Sequence, residues 1–82
     1  MENSKKRIKM IWDFFGPAAV PTAEHHHKHL KWYATAEDLH NPESGTEKIS
    51  PSHSIAFLVV DESETDFVRK ALKPNRGQYY DQ

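Results

Sequence analysis

The segment Ser54–Val60 (SIAFLVV) is apolar on both of its faces, and a strand with no polar side has to lie inside a sheet. Side chains alternate along a strand, so Ile55, Phe57 and Val59 share one face and Ala56, Leu58 and Val60 the other. A second stretch, Arg7–Phe15 (RIKMIWDFF), is rich in Ile, Trp and Phe and stops at Gly16-Pro17. Its core face is Ile8, Met10, Trp12 and Phe14, with Lys9, Ile11, Asp13 and Phe15 opposite.

Between these strands Thr22 is suited to N-cap a helix running to about Asp38, with Glu24 in the positive first turn. At about 100° per residue, Ala23, His26, His27, Leu30, Tyr33 and Ala34 fall on one side. His25, His29, Trp32 and Ala36 form a second stripe beside it. Residues 41–45 (NPESG) read as a loop and Thr46–Ser50 as a short edge strand. Ser63–Asp66 resembles a capping box, after which Phe67, Val68, Ala71 and Leu72 give a short helix an apolar face, stopped by Pro74. Gln78–Tyr80 supplies a last edge strand.

This order is that of a split β-α-β arrangement, an α+β ferredoxin-like sandwich with two helices on one face of a small antiparallel sheet. The whole chain, 1–82, reads as one domain with a flexible start over residues 1–6. The helices are expected to cover the side carrying Met10, Trp12, Phe14, Ile55, Phe57 and Val59. Ile11, Phe15, Ala56, Leu58 and Val60 would then form an uncovered apolar patch, larger than a soluble monomer usually exposes. With 82 residues and no cysteine, disulfides and thiolate metal sites are excluded as supports for a small core. A homodimer is the expected solution, with the sheets pairing as in a dimeric α+β barrel.

Four of the six histidines lie within His25–His29. The positive end of the helix would favour their neutral form. If the first and third strands run antiparallel, His53 comes near the start of that helix, and alternation from Ile55 puts it on the helix side with His26. His26, His53 and Asp13 are therefore the candidate catalytic residues. Asp13, a carboxylate in an apolar strand, could orient a histidine or take a proton from a small substrate held between subunits. Structurally it could instead pair with Lys9 or a neighbouring strand. His25 and His29, at i and i+4, could chelate a divalent metal, with a third ligand from Glu24, Asp13 or a partner chain. The competing reading leaves His25 and His29 solvated and His26 and His27 hydrogen-bonded at the core margin.

Three functions follow. The first is a small-molecule binding or proton-transfer protein. The second is a structural or regulatory interaction domain. The third is a nucleic-acid module, for which Lys5, Lys6, Arg7 and Lys9 speak. The aliphatic and acidic sheet face and the net charge of −1 speak against it. No bilayer-length apolar run occurs, and Asp13 breaks the leader-like run Ile8–Phe15. The expected setting is cytoplasmic, without membrane association.

Overall fold

The structure, a computed structural model, describes residues 6–80. The start expected to be flexible therefore lies outside the described residues except for Lys6. Four strands and two main helices follow in the order β1 (Arg7–Phe15), α1 (Ala19–Ala36), β2 (Glu43–Ser50), β3 (His53–Asp61), α2 (Thr65–Leu72) and β4 (Arg76–Tyr79), with a 3₁₀ turn at Glu62–Glu64 before α2. The sheet is antiparallel throughout and ordered β2-β3-β1-β4. This open α+β sheet with two helices is compatible with a ferredoxin-like arrangement. Both long strands occupy the centre, as the two apolar faces of β3 require of that strand.

Strand β2 begins at Glu43, so Ser44 and Gly45 belong to the edge strand rather than to the preceding loop. Gly45 lies opposite Phe57, and a Cβ there would stand 3.0 Å from the ring. The missing side chain lets the Phe57 ring lie across β2.

Helix α1 starts three residues before Thr22, with Ala18 as N-cap, and takes Pro21 into its first turn. Proline is tolerated there because first-turn N–H groups have no intrahelical acceptor. The helix stops in a Schellman motif: Asp38 turns left-handed at φ 53. The Asp38 and Leu39 N–H groups donate to the Thr35 and Ala34 carbonyls at 3.2 and 3.0 Å. Leu39 is thereby turned into the core. On α2, Val68 is fully buried and Leu72 packs against the core, whereas Phe67 and Ala71 face solvent. Left-handed Lys73 ends this helix ahead of Pro74.

The core joins Met10 and Trp12 of β1 to Ala56, Leu58 and Val60 of β3, under Leu30, Ala34 and Val68. Register determines this grouping, because Met10 pairs with Leu58 and Trp12 with Ala56. The expected faces of β3 are thus exchanged: Ile55, Phe57 and Val59 lie on the helix-free side with Ile11 and Phe15. Alternation could not reveal this, since both faces of β3 are apolar and pairing with β1 alone decides which one is inward.

The helix-free face is not a bare apolar patch. Ile11, Ile55 and Val59 are only 2%, 3% and 0% exposed within the single chain. Long polar side chains cross the strands above them. Lys9 places its ammonium 4.5 Å from the Phe57 ring centroid and reaches Glu47 on β2 at 4.0 Å. Tyr80 continues from β4, its N–H bonded to the Arg7 carbonyl, and its phenol donates to Glu43 on the opposite edge at 3.3 Å. To do so it spans β1 and β3. The apolar surface from which a dimer was expected is therefore largely sheltered inside one chain.

A candidate carboxylate and imidazole site

Asp13 and His53 meet at one end of this helix-free face. The β1–β3 register puts Phe15 opposite His53 and Asp13 opposite Ile55, so Asp13, Phe15 and His53 all project to the same side. Nε2 of His53 lies 2.8 Å from Oδ1 of Asp13. Arg76, arriving on the edge strand β4, adds a fork: its Nε donates to Oδ2 at 3.1 Å and its Nη2 to Oδ1 at 3.0 Å. Asn75 braces the backbone by accepting from the Asp13 N–H at 2.8 Å. The Phe15 ring stacks on the imidazole, with centroids 4.3 Å apart and planes 16° from parallel.

The hydrogen bonds of Arg76 hold the Asp13 carboxyl below the ordinary aspartate range, outweighing the opposing effect of burial, with His53 assisting. Asp13 is therefore ionised near neutrality and can only accept. Its partner nitrogen must carry a proton, which places the neutral His53 in the Nε2–H tautomer and leaves Nδ1 with a free lone pair. Among the described residues Nδ1 has no hydrogen-bond partner. An oriented imidazole with one nitrogen open can accept or deliver a proton. The Arg76 side chain is half exposed, which leaves a cation beside that imidazole for an anionic group.

The structure separates His26 from this pair. It sits on the helix side of the sheet, its ring 5.0 Å from Trp12 and 5.6 Å from Phe14 between centroids. Its Nε2 is buried and, among the described residues, has no hydrogen-bond partner. Burial, with smaller contributions from His29 and His25, lowers its pKa and keeps it neutral. The helix terminus is not the cause, because α1 begins seven residues earlier, at Ala19. The expected meeting of His26 and His53 does not occur, since the exchange of faces on β3 puts the sheet between them. His27 hydrogen-bonds Oγ of Ser44 at 2.9 Å and ties α1 to β2.

His25 and His29 do come together, on the outer surface of α1, with their Nε2 atoms 3.2 Å apart. Asp13 lies on the far side of the sheet and cannot complete a metal site with them. Among the described residues no group of three or more His, Asp or Glu side chains is placed to hold a metal ion.

Arg76 escaped the sequence reading. It stands 63 positions from Asp13 in a polar tail, and no local pattern connects the two. The nucleic-acid reading gains little: Arg7 is paired with Asp61, and the exposed aromatics Trp32 and Tyr79 do not share a face with Phe15. Among the described residues no helix is long and apolar enough to cross a membrane. No protein-family model, curated protein or solved structure matches the chain.

Proposed function

We propose that the protein binds a small acidic molecule at the helix-free end of its sheet and moves a proton through His53, with Asp13 as the orienting carboxylate. The observation that carries this reading is the 2.8 Å contact between His53 Nε2 and Asp13 Oδ1, which leaves Nδ1 as the free base. Arg76 holds Asp13 ionised and offers its exposed side to the anionic group of the ligand. Phe15, 72% exposed, supplies an apolar wall beside the imidazole. A proton taken by Nδ1 would give an imidazolium stabilised by Asp13, the usual division of labour between base and orienter.

The same proposal includes a cytoplasmic homodimer in the manner of a dimeric α+β barrel, now resting on Phe15 and its stacked imidazole rather than on a broad apolar face. Joining two such corners would exclude water from the base. The alternative is an interaction domain with no chemistry, in which exposed Phe15 and the edge strand β2, with Ile49 48% exposed, form the contact surface.

The test is a panel of small enolisable carbonyl acids in D₂O, read by NMR for deuterium uptake at the α-carbon and for shifts of the His53 ring protons. Uptake above buffer that disappears in His53→Gln, under conditions where sedimentation reports a dimer, supports the proposal. With neither ring shifts nor uptake for any compound, the interaction domain is the better reading.

A further inference from the structure

Helix α1 presents an imidazole pair on the opposite side of the molecule from the Asp13–His53 corner. His25 and His29 are one turn apart and both exposed, with ring centroids 4.8 Å apart and planes at 72°. Their Nε2 atoms converge to 3.2 Å. Without an ion they share one proton, one ring donating and the other accepting.

The same separation has a second meaning. Imidazole nitrogens bind zinc-like ions at about 2.0–2.1 Å, and two nitrogens 3.2 Å apart at that range subtend about 100–106° at a common ion. That lies close to the tetrahedral angle and is accessible to a distorted four- or six-coordinate ion. The helix backbone therefore already sets the two nitrogens at a chelating distance, and an ion can replace the shared proton once each ring carries its own proton on Nδ1. We propose that His25 and His29 form a surface two-imidazole chelate for a divalent transition-metal ion, with water in the remaining positions. Neutral imidazoles favour Cu(II) over Zn(II) and do not select Mg(II). Thiolate competition is absent from a chain without cysteine.

Trp32 provides a built-in reporter. It lines the same shallow depression as His25, Lys28 and His29, and it is 69% exposed. The other tryptophan, Trp12, is 5% exposed, and its Nε1 donates to the Leu72 carbonyl at 2.9 Å. A paramagnetic ion at His25 and His29 quenches the exposed indole ahead of the buried one.

Titration of the full chain with Cu(II) is expected to quench part of the tryptophan fluorescence and to saturate at one equivalent. Each of His25→Ala and His29→Ala should raise the half-saturating concentration by about tenfold or more, because loss of one ligand removes the chelate advantage. His40→Ala should leave it unchanged, and Trp32→Phe should remove most of the quenching while calorimetry still reports one bound ion. Zn(II) should compete at higher concentration and raise the melting temperature of the parent protein but not of His29→Ala; Mg(II) should do neither. Both histidines are exposed, so circular dichroism should show intact variants. Equal half-saturation in the parent, His25→Ala and His29→Ala, or loss of binding in His40→Ala, overturns the proposal.

Discussion

The helix-free face carries the same three residue types at both of its ends, and the two clusters are used differently. At one end Arg7 donates to Asp61 at 2.7 Å, and Asp61 also meets Nδ1 of His40 at 2.8 Å. At the other, Arg76, Asp13 and His53 repeat the set. In the first cluster the arginine is the sheltered member, 10% exposed, and His40 is the open one at 63%. In the second the imidazole is sheltered at 20% and the arginine is open at 50%. Arg7 also donates to the backbone carbonyls of His40 and Asn41, fastening the loop after α1. Glu64 reinforces the same corner by accepting from the Asp61 and His40 N–H groups at 3.2 and 3.0 Å. Arg76 makes no such backbone contacts among the described residues. A cation turned inward locks a loop, whereas an imidazole turned inward and oriented by a carboxylate is available for chemistry.

The contrast predicts its largest effect in stability. Asp61→Ala leaves a sheltered arginine without its carboxylate and should cost about 3 kcal/mol. Asp13→Ala frees an arginine that water can reach and should cost about 1 kcal/mol. Urea unfolding of the two variants measures the difference, and equal losses would erase the distinction between clamp and site.

A pH profile separates the clusters from the core histidine. Both Asp13 and Asp61 are held below their ordinary value of 3.8; at Asp61 the hydrogen bonds of Arg7 and His40 overcome burial, which acts the other way. Their stabilisation is complete above that value and is lost as pH falls through the lower folded values, because the unfolded chain takes up the protons first. His26 and His27 are lowered from 6.5, chiefly by burial. Below 6.5 the unfolded chain protonates these imidazoles while the fold keeps them neutral, so stability declines as the medium becomes acidic. Melting temperatures from pH 8 to pH 3 should therefore fall in two stages. His26→Leu should flatten the upper stage, and each Asp→Ala variant should reduce the lower one. An upper stage unchanged in His26→Leu would remove His26 as its source.

The smallest difference in stability is expected between His40→Gln and His53→Gln, each costing under about 1 kcal/mol by the same unfolding assay. Only His53→Gln should abolish the response to acidic carbonyl ligands. A ligand response lost equally in His40→Gln would show that both clusters serve the fold.

Much of the architecture is legible from pattern. Strand β1 has the bounds that its composition and the following Gly16-Pro17 suggest, and the stripe of Ala23, Leu30 and Ala34 marks the buried side of α1. Boundaries set by backbone geometry are harder to read. The start of α1 lies upstream because Pro21 fits a first turn, and its end depends on left-handed Asp38, where glycine or asparagine would have been the usual signal. The site is half legible: Asp13 stands out as a charge within an apolar strand, but its partners are brought to it by pairing with β3 and β4.

The sequence alone determines that the doubly apolar strand β3 sits at the centre of a small sheet and that an amphipathic helix covers it, because side-chain periodicity encodes burial locally. Which face of β3 turns inward, and hence whether His53 meets His26 or Asp13, is decided by tertiary structure. With both faces apolar, hydrophobicity is indifferent to a one-residue shift, and the register with β1 selects one of two otherwise equivalent choices.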